Sequence, residues 1–110
     1  MKIFLDTAET ELIRKYNETG LLDGITTNPT LIMKSGRQPR DVYQEIKDIG
    51  IRDISMEVVG NADEMIEEGT NLFQEFGFCT TVKVPLTRDG LAACKVLSDR
   101  GIRVNVTLIF

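Results

Sequence analysis

Lys83 stands inside an apolar, strand-like run, Thr80-Thr81-Val82-Lys83-Val84-Pro85-Leu86. A strand sends successive side chains to opposite faces, so Val82, Val84 and Leu86 share one face and Lys83 shares the other with Thr81. Lysine is rarely buried without a partner or a task. In a low-dielectric site a lysine loses proton affinity, and its free amine can attack a carbonyl carbon to form a Schiff base. Taken alone, the run also fits a lysine on the solvated face of an edge strand. The choice between the two depends on what the other strands set beside it.

Four further segments repeat the arrangement. In Lys2-Ile3-Phe4-Leu5-Asp6-Thr7, Ile3 and Leu5 oppose Phe4 and Asp6. In Gly24-Ile25-Thr26-Thr27-Asn28-Pro29, Thr26 and Asn28 share a face. In Ile54-Ser55-Met56-Glu57-Val58-Val59, Met56 and Val58 oppose Ser55 and Glu57. In Arg103-Val104-Asn105-Val106-Thr107-Leu108, Val104, Val106 and Leu108 oppose Asn105 and Thr107. Each segment has one apolar face and one face with a reactive or hydrogen-bonding group near its end.

Helical spacing fills the intervals. Leu12, Ile13 and Tyr16 predict a helix over 9–17, with Gly20 after it. Val42, Ile46 and Ile49 predict one over 39–49, with Pro39 in its first turn and Gly50 as the stop. Met65, Leu72, Phe73 and Phe76 predict one over 62–76. Leu91, Cys94 and Leu97 predict one over 88–100, with Thr87 as N-cap and Gly101 as the stop. Ser35 to Pro39 reads as a loop. Strands alternating with helices imply βαβ units and a parallel sheet. In a doubly wound sheet both faces would be apolar. In a (β/α)8 barrel the polar face points into the lumen, and groups at the carboxyl ends of the strands form the site. The repeated polar face favours the barrel over a two-layer sheet with one solvated side.

A complete barrel needs at least ~200 residues, and the sequence has 110. The expectation is one partial TIM-barrel domain over 1–110, about five βα strands, truncated at its C-terminal end and with exposed strand edges. The formal charge of −4 without a Lys/Arg cluster argues against a nucleic-acid partner. The absence of histidine excludes a His-based triad, and Cys79 and Cys94 are too far apart for a C-x-x-C pair. No metal or cofactor is expected. Two unpaired, buried cysteines fit a reducing cytoplasm. No apolar leader or span is evident, so no membrane association is expected.

Read in order, Lys2-Ile3-Phe4-Leu5-Asp6-Thr7-Ala8, Gly24-Ile25-Thr26-Thr27-Asn28-Pro29-Thr30, Val82-Lys83-Val84-Pro85 and Asn105-Val106-Thr107-Leu108-Ile109-Phe110 resemble the strand motifs of transaldolases. The likeness is closest to the short subfamily that includes fructose-6-phosphate aldolase. It runs the whole chain and about half of the family's length. The family's later phosphate-binding arginine and serine would lie beyond Phe110. The resemblance implies Lys83 as the Schiff-base nucleophile on the C2 carbonyl of a ketose phosphate. It implies Asp6 as the acid/base at the C4 hydroxyl, and Glu57 and Thr107 as holders of a proton-shuttling water. Asn28 and Asn105 would orient donor hydroxyls and the lysine, with Thr26 in support.

The resemblance further implies transfer of a dihydroxyacetone unit between sugar phosphates, as in the pentose phosphate pathway. In the aldolase branch the position of Glu57 resembles glutamine, so glutamate favours transfer over simple release of dihydroxyacetone. The alternatives are a fructose-6-phosphate aldolase-type lyase and a non-catalytic, self-associating half-barrel. A deoxyribose-phosphate aldolase would share barrel and lysine but not the Thr-Thr-Asn-Pro motif. A homo-oligomer is expected, because edge strands seek partners.

Overall fold

Apolar residues two apart in short runs, between stretches where they fall three and four apart, dictate alternating strands and helices. The computed structural model describes residues 1–107 and has this alternation. Strand β1 is Phe4–Asp6 and helix α1 is Thr10–Asn17. Strand β2, Gly24–Thr26, is followed by two helices, α2 over Pro29–Ser35 and α3 over Pro39–Ile49. Strand β3, Ile54–Glu57, leads to α4, Ala62–Phe76, and a 3-10 turn over Gly77–Cys79. Strand β4, Thr80–Pro85, leads to α5, Arg88–Asp99, and then to β5, Arg103–Thr107.

All pairings are parallel and the strands lie in the order β1-β2-β3-β4-β5. Each strand neighbours its successor and the order never reverses. A doubly wound sheet has a reversal point, since its helices cover both faces. A barrel wall needs none. The fold is α/β and is the N-terminal half of a (β/α)8 barrel.

The core is a single layer between sheet and helices. Ile25, Ile54, Met56, Val82 and Val84 face it from the sheet, and Ile13, Val42, Ile46, Met65, Leu72 and Leu97 from the helices; all are buried. Tyr43 and Phe76 stack edge to face at 5.8 Å between α3 and α4. Two glycines let the helices close on β4. A Cβ on Gly69 would stand 3.0 Å from Leu97 and 3.2 Å from Val82, and one on Gly90 would stand 1.8 Å from the Pro85 carbonyl oxygen.

Several expectations change. Helix α2 is additional: Asn28 with Pro29 behind it is a cap followed by a first-turn proline, a start signal that the strand-like run before it obscured. Leu91 is half exposed, and α5 instead buries Gly90, Ala93 and Leu97, because the Gly90 contact sets which stripe faces the sheet. Tyr16 is largely exposed, beside the β1 edge. Cys79 and Cys94 are half-buried rather than buried. The expected outward position of Leu108 lies outside the described residues.

Two outcomes follow. Gly90→Ala should destabilise the chain by about 1–3 kcal/mol, since the added methyl meets backbone rather than a yielding side chain. An unchanged urea midpoint would show that α5 is not seated against Pro85. The second concerns the edges. Ile3, Phe4, Leu5, Tyr16, Leu21 and Leu22 line an apolar groove of about 490 Å³ along β1. A polypeptide of these 110 residues alone should therefore self-associate through its strand edges. A concentration-independent monomer in sedimentation equilibrium would contradict this.

Candidate active site

Partners in a parallel register share a face of the sheet. Glu57 pairs with Lys83, and Lys83 with Asn105. These three residues therefore stand in one row on three adjacent strands, at positions that alternate to the face away from the helices, with Glu57 at the rim where β3 ends. Asp6 pairs with Thr26, and Thr107 with Pro85, on the same face. Thr26 donates its hydroxyl hydrogen to Asp6 Oδ1 at 3.1 Å, which orients the carboxylate across β1 and β2.

The rows are staggered, and the stagger carries information. Following the register from Asp6 leads to Thr26, Ser55, Thr81 and Arg103. Glu57 and Lys83 lie two residues further along their strands and Thr107 four, and Asn28 stands two residues beyond Thr26, just past the end of β2. In a closed (β/α)8 barrel the strands tilt by about 36° with a shear of about 8, or one residue per strand. Four residues over four steps is that slope. Asp6, Asn28, Glu57, Lys83 and Thr107 thus climb the sheet along a line of constant height in such a barrel. Asp6 and Lys83 are three strand spacings apart, on the order of 14 Å along the sheet, which leaves room for a small polyol between them.

Local structure fixes most of these groups. Lys83 is half-buried between fully buried Val82 and Val84. Its carbonyl accepts from the Val58 N–H at 3.0 Å, so its backbone is tied to β3. Among the described residues it makes no ion pair with Asp6 or Glu57. The ammonium is not locked by either carboxylate. The Thr107 carbonyl accepts from the Leu86 N–H at 2.9 Å. Asn28 stands past the end of β2 and caps α2, its Oδ1 accepting from the Leu31 N–H at 2.9 Å. Among the described residues its amide hydrogens make no hydrogen bond. Thr27 beside it is buried and donates to the Ser55 carbonyl at 2.8 Å, pinning this turn to β3.

Glu57 has a second environment. It lines a cavity of about 470 Å³ with Pro29, Arg40, Tyr43 and Glu68, between α2, α3 and α4. Burial holds the Tyr43 phenol above its ordinary range; the Thr27 hydroxyl opposes this, and the Glu57 charge adds to it. Tyr43 was not among the expected site residues. Its place beside Val42 in an amphipathic helix marks it as core, and no spacing in the chain links it to β3. Arg103 and Asp53 were likewise not foreseen as a pair on the site face, where they form an ion pair at 3.3 Å. Among the described residues no group of three or more His, Cys, Asp or Glu side chains is arranged as a metal-ligand set. No helix among them is long and apolar enough to cross a membrane.

Residues 3–110 match the family described as Transaldolase/Fructose-6-phosphate aldolase. The chain is 54% identical over 111 aligned residues to a probable transaldolase of Nitrosopumilus maritimus, covering all of this chain and 50% of that protein. It is equally similar, at 54%, to a probable transaldolase of Paracoccus denitrificans, covering 51% of it. A probable transaldolase of Roseobacter denitrificans is 53% identical, again with 51% covered. The chain spans about half the length of the curated relatives it matches. With its sequential parallel strands and a lysine between a glutamate and an asparagine, the chain belongs to the transaldolase/fructose-6-phosphate aldolase family.

Proposed function

We propose that these residues supply half of an active site that moves a dihydroxyacetone unit between sugar phosphates through a Schiff base. The observation that carries the reading is the row Glu57–Lys83–Asn105, with the Asp6 carboxylate oriented by Thr26 along the same line of the sheet. The Lys83 amine attacks the C2 carbonyl of a ketose phosphate, and the carbinolamine loses water to give an iminium ion. Asp6 takes the proton of the C4 hydroxyl. The C3–C4 bonding pair then flows into the iminium, an aldehyde leaves, and an enamine remains on Lys83. The enamine carbon adds to the aldehyde of an acceptor aldose phosphate, and water releases the new ketose.

Each neighbouring group has a part in this scheme. Glu57 and Thr107 hold the water that carries protons during dehydration and hydrolysis. The amide of Asn105 bonds the lysine end of the adduct. The free amide hydrogens of Asn28 reach a donor hydroxyl, and Thr26 keeps Asp6 aimed. The iminium is cationic, so carboxylates that do not pair with the resting lysine stabilise the state that forms later. Lyase chemistry is the second reading, because the family's description includes it. It shares every step to the enamine and differs in that a proton, rather than an aldose, captures that carbon. The reading extends to a cytoplasmic homo-oligomer, in keeping with the free cysteines and the apolar groove along β1.

The test uses a polypeptide that completes the barrel. Borohydride reduction with fructose 6-phosphate should leave a covalent adduct on Lys83, located by peptide mass spectrometry. An adduct on Lys34 or Lys95, or none, would remove the assignment. Lys83→Arg should abolish turnover, since a guanidinium stays protonated. Asp6→Asn should still form the imine yet lower carbon–carbon cleavage by about 10²–10⁴-fold; normal cleavage would make Asp6 a structural residue. Glu57→Gln should raise dihydroxyacetone release relative to transfer. An unchanged ratio would detach Glu57 from the choice between the two reactions.

A further inference from the structure

The apolar pattern of β4 and β5 does not specify how they align. β4 reads Val82-Lys83-Val84 and β5 reads Val104-Asn105-Val106. A slip of one residue would turn valines toward the lumen and is forbidden by burial. A slip of two would again set valine beside valine. It would also replace Asn105 beside Lys83 with Arg103 or Thr107. The alternation of valines alone therefore does not select the observed register.

The polar cluster at the N-terminal ends of the strands is suited to selecting it. Arg103, two residues before Asn105, directs Nη1 to Asp53 Oδ2 at 3.3 Å. Its Nη2 donates to the Arg52 carbonyl at 3.2 Å and to the Phe78 carbonyl. The other Asp53 oxygen accepts from the Thr81 hydroxyl at 2.7 Å, and the Asp53 carbonyl accepts from the Ile25 N–H at 2.8 Å. One arginine–aspartate pair thus links β5 to the segments that open β3 and β4, and through the Asp53 backbone to β2. A planar fork with fixed donor directions meets these acceptors in one alignment only. Arg103 is about half exposed and Asp53 mostly buried; such a pair adds little stability, but its directional contacts favour one alignment over another.

We propose that Arg103, anchored on Asp53, is the register lock that keeps Glu57 and Asn105 beside Lys83. It is a positioning residue, and its catalytic consequence rests on the Schiff-base reading above, whereas its effect on the sheet does not. Amide hydrogen exchange on the full chain tests it. Arg103→Met keeps the apolar stem and removes all three contacts. Exchange at the Leu86 amide, which bonds across β4–β5, should rise roughly tenfold or more. The Thr7 amide, which bonds across β1–β2, should be unaffected. Arg103→Lys should fall between, because one ammonium keeps Asp53 but cannot hold both carbonyls. If Arg103→Met fails to fold, Asp53→Asn decides, with a smaller rise of the same local pattern. A uniform rise along the sheet, or no rise, would overturn the lock.

In the completed barrel, Arg103→Met should also slow adduct formation on Lys83 by about 10²-fold with substrate saturation unchanged, and Arg103→Lys should restore most of it. A wild-type protein that forms no adduct would count against the Schiff-base reading alone. The exchange pattern would still decide the lock.

Discussion

Everything in this chain hangs on the two-sidedness of its parallel strands. A side chain's destination is settled by whether its position is odd or even within each strand. In β1 and β2 the even positions face away from the helices, and in β3, β4 and β5 the odd ones do. Apolar residues, with Thr80, occupy the other parity, and their burial against the helices prevents any strand from rotating. The cost of exposing them holds Lys83, Glu57 and Asn105 on the opposite face. No polar contact at the site has to do so.

That opposite face is polar for more of its depth than a packed barrel interior, where branched apolar side chains dominate. Behind the row of Glu57, Lys83 and Asn105 lie Thr26, Ser55, Thr81 and Arg103, and then Asp53. Apart from Pro85 on β4, apolar residues of the strands on this face lie on the β1 side. There the Phe4 ring lies over Gly24, where a Cβ would come within 2.4 Å of it. Among the described residues no buried side-chain nitrogen or oxygen lacks a hydrogen-bond partner. The polar layers are therefore saturated at the N-terminal ends, through Thr81, Asp53 and Arg103. Among the described residues, the lysine at the other end makes no ion pair. Hydrogen-bonded saturation gives rigidity, so the N-terminal end of the face is the braced one, and the proposed chemistry lies at the other.

The repeating fold was legible because its signals are periodic. Alternation of two and stripes of three and four appear in consecutive residues. Lys83 was legible for the same reason, as a lone charge among valines. What escaped depended on contacts between distant segments. Helix α2 has seven residues and a weak stripe, and its start at Asn28 coincides with a motif that reads as a strand end. Leu91 fits the helical stripe as well as Ala93 does; only the collision at Gly90 decides which faces the sheet. Asp53 and Arg103 are fifty residues apart in the chain, and nothing local to either announces the other.

Part of the polarity at the carboxyl ends of the strands has a physical origin beyond function. At its carboxyl end each strand must pass to a helix, and the new helix needs an acceptor for its first amides. Asn28 caps α2, Asn61 caps α4 and Thr87 caps α5. Small polar residues are therefore favoured there whether or not a substrate binds, although α1 starts at Glu9 without a side-chain cap. The N-terminal strand ends follow helix C-termini and glycine stops, where no such acceptor is needed. A barrel thus collects hydrogen-bonding side chains at one rim as a by-product of capping. Asn28 is one such cap. Its oxygen accepts from the Leu31 amide, and among the described residues its nitrogen makes no hydrogen bond. An aspartate in its place would cap equally well but would bring a charge and no donor, so the residue type carries information that the cap alone does not demand.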